Sequence, residues 1–413
     1  MESTLAATRP RFRRWRKFLQ NAHLYRGDVV DALEKSPIDG AQISEYIACS
    51  APVHLLDGWS YLSRAFDSMA RGDRSVAIHL AYYAELRAAM SLLATEGIGV
   101  FDKRHVAIDA GGGVHEWQGK GTHVAAWKLL TAWASERGRA ISILTMIRVE
   151  SRSVVDWLAA AGVSANVSST VANDWLEAWS IDLKDFSADR SLRNEMSYRP
   201  GRIRAPEPPP IIMQSEIVEP IFESWQALEP SADKSGVSLD LALLHGAMRY
   251  VFMQGWALTD WDDFVNRLDG LASPALQAYL LEENPPATYM FEAAGDSQRP
   301  TTEARPILAR AMLLLRLAAA SNAHLLSAAA VSKGDLAFWW EEQGKDSGFW
   351  KNSIDVDSFA DLWSDVDQAL SDAGEKLNEE PKVTTVCEAI ATICRFPALT
   401  QFNRAPLWLL GLD

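Results

Sequence analysis

The sequence predicts a mainly α-helical protein with two helical lobes. Apolar residues recur at helical spacing along the chain, and the first clear example is the face formed by Trp59, Leu62, Phe66 and Met69. The segment APEPPP (205–210) contains four prolines and interrupts this pattern. The 413 residues, 48% hydrophobic and 23% charged, have the composition of a folded globular chain that is long enough for two or three domains.

Residues 1–54 are expected to form a basic helical segment. Its most basic stretch is RPRFRRWRKFLQ (9–20), which contains five arginines and one lysine. We interpret this stretch as a solvated helix on an acidic body, with contact to an anionic surface such as RNA as the alternative. No apolar run or small-residue cleavage motif follows it, so a secretory signal is not predicted.

Residues 59–97 predict an antiparallel helical hairpin. The tripeptide RGD (71–73) ends the first helix, Asp73 is placed to cap the second, and Gly97 is a natural residue to end it. A stripe of small residues along the second helix would let a neighbouring helix approach closely. The stripe consists of Ala77, Ala81, Ala84, Ala88 and Ser91.

The chain between residues 98 and 204 is expected to mix short strands with helices. Two extended runs flank the glycines in HVAIDAGGGVHEW (105–117) and predict a β-hairpin or an ordered loop. A helix should resume near Thr122, with His123 and Trp127 on one face. A further helix is expected through SLRNEMSYRPGR (191–202) until Pro200 ends it.

The proline-rich stretch and its continuation, residues 205–236, are expected to link the first lobe to a second helical lobe at residues 237–413. Within that lobe, residues 307–331 are nearly apolar. Two arginines, an asparagine and a histidine recur along them, which favours a buried core helix over a membrane span. These are Arg310, Arg316, Asn322 and His324.

Composition excludes several classes of protein and site. A net charge of −14 excludes a general nucleic-acid-coating protein, because that binding depends on neutralising phosphates, but a local basic patch stays open. Three scattered cysteines favour a reducing, cytoplasmic setting over a disulfide framework or a zinc site. The chain has no phosphate-binding glycine loop or nucleophile elbow, and the DWDD run (260–263) fits helix capping better than cation binding. We therefore expect no cofactor and no metal.

The segment LAYYAELRAAMSLLA (80–94), with Arg193 and Asn194 further along, resembles the HEPN superfamily of helical bundles found in prokaryotic toxins and defence proteins. The resemblance covers roughly residues 55–205, which we delimit as a HEPN-like bundle over 55–204, and RNEMSYRP (193–200) also looks like a segment of poorly characterised bacterial relatives. The residues that carry it are Tyr61, Leu62, Ala65, Gly72, Ala77, Tyr82, Tyr83, Ala84, Ala88, Leu92, Leu93, Gly97, Arg193 and Asn194.

This resemblance implies metal-independent cleavage of RNA by an Arg and a His four to six residues apart, at a groove between two copies of the chain. Arginine holds the phosphate and histidine moves a proton. Arg193 and Asn194 match the first half of the motif, but Tyr198 stands where the family has histidine. Since tyrosine is a poor base at neutral pH, either the site binds phosphate without cleavage or a histidine from elsewhere completes it. His123 is our first choice.

The sequence thus predicts Arg193, Tyr198 and His123 as catalytic residues, with His105 and His115 as alternative histidines. The predicted nucleic-acid contacts are Arg193, Asn194, Arg199 and Arg202, around a concave basic surface. An ordinary helix end rich in arginine is the competing interpretation. Three functions stay open: a ribonuclease in a toxin or anti-phage defence system, a silent bundle that binds RNA or a partner protein, and a helical scaffold or sensor subunit. A homodimer without membrane contact is expected.

Overall fold

The computed structural model describes residues 1–10, 40–198, 219–230, 238–256, 260–282, 289–295, 304–350, 361–378 and 396–411. Within these ranges the protein is mainly helical, as predicted. The first helices are α1 (Glu2–Thr8), α2 (Gly40–Ala70), α3 (Arg74–Thr95), α4 (Thr122–Ala134), α5 (Arg139–Met146), α6 (Val154–Ala160), α7 (Ala165–Ser168), α8 (Ala172–Ala178) and α9 (Asp185–Tyr198).

Helices continue through the C-terminal half of the described residues. They are α10 (Glu219–Ala227), α11 (Leu239–Met253), α12 (Trp261–Asn266), α13 (Pro274–Leu281), α14 (Tyr289–Gly295), α15 (Arg305–Ala328), α16 (Ala337–Asp346), α17 (Asp361–Asn378), α18 (Phe396–Leu399) and α19 (Ala405–Leu409). Short 3₁₀ helices cover Gly334–Leu336 and Phe402–Arg404. Most of the proline-rich linker and of the basic N-terminal segment lies outside the described residues.

The helical hairpin formed by α2 and α3 is confirmed, including both of its predicted end signals. The Asp73 side chain accepts a hydrogen bond from the backbone N–H of Val76 at 3.1 Å, and so caps α3. Gly97 follows the helix with φ of +83°, a left-handed conformation that glycine adopts without strain. Helix α2 begins at Gly40, so it runs through the expected boundary between residues 54 and 55.

Helix α15 packs against both helices of this hairpin and is buried, as predicted for a core helix. It is long and apolar enough to cross a membrane, but 78% of its most apolar window is buried inside the protein. Gly58 of α2 permits the close approach, because a Cβ there would lie 2.6 Å from Leu315. Polar bonds also join α3 to α15, since the Asn322 side chain donates to Ser91 Oγ at 2.8 Å.

The predicted β-hairpin is present and has one additional strand. Strands β2 (Arg104–Ile108) and β3 (Val114–Gln118) are antiparallel around the glycine turn, and β1 (Ile98–Phe101) pairs antiparallel with β2 on its other side. A second, two-stranded sheet joins β4 (Arg148–Val149) and β5 (Arg152–Ser153). The three-stranded sheet directly precedes α4 in the chain.

Helix α9, which carries the candidate site, lies against α3 and α4. Phe186 near its start is fully buried and stacks on Trp127 of α4, with ring centroids 4.5 Å apart and an angle of 4° between the planes. This stacking anchors the start of α9 on α4, and the following turns of α9 pack against α3.

Candidate anion-binding site

The inward face of α9 carries the polar groups of the site. Phe186, Asp189 and Arg193 recur at helical spacing and are buried, with Arg193 only 5% exposed. Asn194 is exposed and Tyr198 is 75% exposed, so these two predicted site residues lie on the outer face of the helix. Arg199 and Arg202 fall outside the described residues.

Arg193 meets a histidine, as the sequence analysis anticipated. One of its Nη atoms donates to His123 Nδ1 at 3.1 Å. Its guanidinium carbon also lies 5.0 Å from the ring centre of Tyr82 and 5.4 Å from that of Tyr83, within cation–π range. Of the three candidate histidines, His123, the first choice, is therefore the one in contact with Arg193. A catalytic role for either residue stays a prediction.

The charge of Arg193 has no carboxylate partner among the described residues, and its Nε makes no hydrogen bond to them. A guanidinium keeps its charge in proteins, and burying a charge without a counter-charge is costly. The aromatic rings and the imidazole compensate only part of that cost. A buried, uncompensated cation of this kind favours binding of an anion.

His123 is held neutral. Burial and the charge of Arg193, with smaller contributions from other arginines, lower its pKa from 6.5 to about 4. Since a guanidinium only donates, the Nδ1 that faces it carries no proton, and the neutral ring has its N–H at Nε2. The Tyr82 hydroxyl lies 3.1 Å from the same Nδ1 and accepts from the indole N–H of Trp127 at 3.4 Å.

His79 of α3 is a second histidine of the site, and sequence reasoning missed it. The Ser197 hydroxyl donates to the Arg193 carbonyl at 2.8 Å, so its oxygen is left to accept from His79 Nδ1–H at 2.7 Å. His79 Nε2 then carries a lone pair, the opposite arrangement to His123. Burial, followed by the charge of Arg193, lowers the His79 pKa. One signal was present: His79 precedes Tyr83 by four residues, so both lie on one helix face.

The other two candidate histidines have separate surroundings on the β-sheet. His105 is buried, contacts the Lys120 carbonyl through Nε2 at 3.0 Å and packs on Trp117. His115 is exposed and lies 2.8 Å from an Asp109 carboxylate oxygen. Neither has a described contact with Arg193, so the structure brings Arg193 together with His123 and His79.

The site, which we call the Arg193 cluster, comprises Arg193, His123, His79, Tyr82 and Tyr83. It combines a buried guanidinium with a neutral imidazole donor at His123 Nε2 and a neutral imidazole acceptor at His79 Nε2. A guanidinium can bind an anion, and an unprotonated imidazole can accept a proton, less readily as its pKa falls.

Within the described ranges, no three His, Cys, Asp or Glu side chains are grouped to hold a metal ion. Comparisons of the chain with protein-family models, with curated proteins and with solved structures gave no match.

Proposed function

We propose that the protein binds RNA by placing a backbone phosphate against Arg193, and that it cleaves the bound strand without a metal. The observation that carries this proposal is the burial of Arg193 beside His123, with an Nε that makes no hydrogen bond to the described residues and with no described carboxylate partner. A phosphodiester oxygen is the complement of such a guanidinium, because charge-assisted bonds to phosphate are short and strong. The HEPN resemblance points to the same ligand.

The two histidines supply a route for cleavage. His79 Nε2 accepts the proton of the ribose 2′-hydroxyl, and the resulting oxygen attacks phosphorus while the bond from phosphorus to the 5′ oxygen breaks. Arg193 and His123 Nε2–H stabilise the charge that develops on the phosphoryl oxygens. The departing 5′ oxygen takes a proton from water, and His79 returns its proton to solvent. This route requires a 2′-hydroxyl, so DNA binds without being cleaved.

Binding without cleavage is the second candidate, and the low pKa of His123 favours it. At neutral pH this imidazole is uncharged and cannot act as a strong general acid toward the leaving oxygen. Tyr198 and Asn194 are exposed on the outer face of α9, and we propose that they contact the flanking strand rather than the leaving oxygen. In either form we propose a cytoplasmic homodimer that acts in a toxin or anti-phage defence system.

The test uses a labelled single-stranded RNA of 20 nucleotides and its all-DNA counterpart. We expect the wild type to bind both and to cleave RNA alone, whereas Arg193→Met should weaken binding about tenfold by removing a charge-assisted contact. His79→Asn keeps an N–H for Ser197 but lacks the basic nitrogen, so it should bind normally and not cleave. Tyr198→Phe is the control for an outer-face residue.

The outcomes separate the candidates. Binding without cleavage by the wild type favours the second candidate, a catalytically inactive bundle that binds RNA. Absence of binding by a folded wild type at low salt refutes the RNA proposal and leaves the scaffold. Arg193→Lys retains the charge but lacks the planar guanidinium with its paired N–H donors. If a bidentate contact with phosphate matters, its RNA affinity should lie between those of the wild type and Arg193→Met.

A further inference from the structure

An acidic residue lies one helical turn before Arg193 and does not pair with it. Asp189 and Arg193 are both on the inner face of α9, four residues apart and 4% and 5% exposed. An Asp and an Arg at this spacing on a helix commonly form an ion pair. Such a pair would neutralise the charge that makes the Arg193 cluster an anion site.

Asp189 is instead bound by Arg310 of helix α15. Arg310 donates from Nε to one carboxylate oxygen at 2.9 Å and from Nη2 to the other at 2.7 Å, a bidentate pair. Its Nη1 donates to the Ala294 carbonyl at 3.0 Å, so three hydrogen bonds fix the guanidinium. Helices α9, α14 and α15 meet at this single side chain.

Two other carboxyl groups face Arg310. Glu85 of α3 is fully buried, and one of its oxygens lies 3.7 Å from Arg310 Nε. Burial, followed by the charge of Asp189, raises its pKa well above the usual range and so disfavours its charged form. Asp185, on the first turn of α9, lies 3.9 Å from Nη1 and is partly exposed. Of these three carboxyl groups, Asp189 is the one whose oxygens both accept hydrogen bonds from Arg310. Burial also raises the pKa of Asp189, and the charge and hydrogen bonds of Arg310 oppose that rise.

We infer that Arg310 is a positioning residue for the Arg193 cluster: its bidentate hold on Asp189 prevents this carboxylate from forming an ion pair with Arg193. The charge of Arg193 consequently stays available for a ligand. Removing Arg310 would release Asp189, and Arg193 is the buried cation four residues further along the same helix. This inference rests on the proposed function only for the identity of the ligand.

The test compares three folded proteins: wild type, Arg310→Met, and Arg310→Met combined with Asp189→Asn. The double variant removes one positive and one negative charge together, so the net charge of the region is unchanged. The first readout is the pKa of His123 from NMR titration of its imidazole. The second is affinity for a single-stranded RNA of 20 nucleotides.

In Arg310→Met, Asp189 should neutralise Arg193, so the His123 pKa should rise by about 0.5 to 1 pH unit and RNA affinity should fall about tenfold. The double variant should return both readouts to wild-type values. An unchanged His123 pKa in a folded Arg310→Met protein, or no recovery in the double variant, would overturn the inference. If Arg310→Met does not fold, Arg310→Lys replaces it in the test. Lysine cannot make the bidentate contact of a guanidinium, so one carboxylate oxygen of Asp189 is left without its Arg310 hydrogen bond.

The pKa readout requires no RNA and therefore separates the two proposals. If the His123 pKa follows this pattern and RNA does not bind, the positioning role of Arg310 stands and the proposed function fails.

Discussion

Replacing Arg193 with methionine should raise the pKa of His123. The wild-type pKa is about 4 against an ordinary 6.5, and the largest cause is burial, followed by the charge of Arg193. Methionine has a similar length and fills the space beside the two tyrosine rings without a charge. The imidazole would keep its burial but lose the repulsion, so its pKa should rise without reaching 6.5.

The size of the rise follows from the geometry. Two unit charges about 4 Å apart repel by about 4 kcal/mol at the effective dielectric near a protein surface, and by about 1 kcal/mol in bulk water. One pKa unit corresponds to about 1.4 kcal/mol. Because His123 is half-buried, solvent screens part of the repulsion, and because burial is the larger cause, Arg193 accounts for less than half of the depression. We expect a rise of about one pH unit.

The assay is NMR titration of the histidine imidazole carbons between pH 3 and 8, with His123→Gln used to assign the resonance. Arg190→Met is the matched control, because Arg190 lies three residues earlier on α9 and lowers the same pKa by a smaller amount. A pKa that stays near 4 in Arg193→Met, or rises more in Arg190→Met, would refute the placement of the guanidinium against Nδ1.

Three further predictions concern stability. Asp73→Ala removes the cap of α3 and should lower the free energy of unfolding by about 1 kcal/mol in urea denaturation, whereas Asp73→Asn should not. Trp127→Ala removes the stack on Phe186 and should cost about 3 to 5 kcal/mol, seen as a lower thermal midpoint; a change below 1 kcal/mol would contradict the packing. His245 is 7% exposed, and burial is the main reason that its pKa is lowered to about 4. Between pH 6.5 and 4 its imidazole is protonated in the unfolded chain but not in the folded protein, so the free energy of unfolding decreases as the pH falls through that range. Acidification from pH 7 to 5 should destabilise the wild type by about 1 to 2 kcal/mol more than His245→Gln.

Local chemistry made much of the fold predictable. The cap at Asp73 and the ending at Gly97 depend on residues within one turn, so the bounds of α3 followed from the sequence. The glycine turn between β2 and β3 was equally local. Strand β1 was missed, because its pairing depends on a partner strand and its own sequence is short.

The candidate site was predictable in part. Arg193 and His123 were selected because few side chains can hold a phosphate or move a proton. Their meeting depends on α9 crossing α4, 70 residues away in the sequence, which no local pattern fixes. His79 was missed for the same reason, since Ser197 reaches it across 118 residues.

Buried charges were the least predictable feature. Arg310 lies in a nearly apolar helix, so its burial could be expected from the sequence around it. Its partner Asp189 lies 121 residues earlier, and nothing near either residue identifies the pair. Whether a buried charge is compensated depends on three-dimensional packing of several helices, as it does here for α9, α14 and α15.

The most direct test of a phosphate site at Arg193 is the salt dependence of RNA affinity, measured for wild type and Arg193→Met with the same single-stranded RNA of 20 nucleotides. Each neutralised phosphate contributes about 0.7 to the slope of log affinity against log salt for a single strand. We expect wild type to bind more tightly at low salt, and Arg193→Met to bind about tenfold more weakly with a slope smaller by about one contact. Equal affinities and equal slopes for two folded proteins would show that Arg193 holds no phosphate.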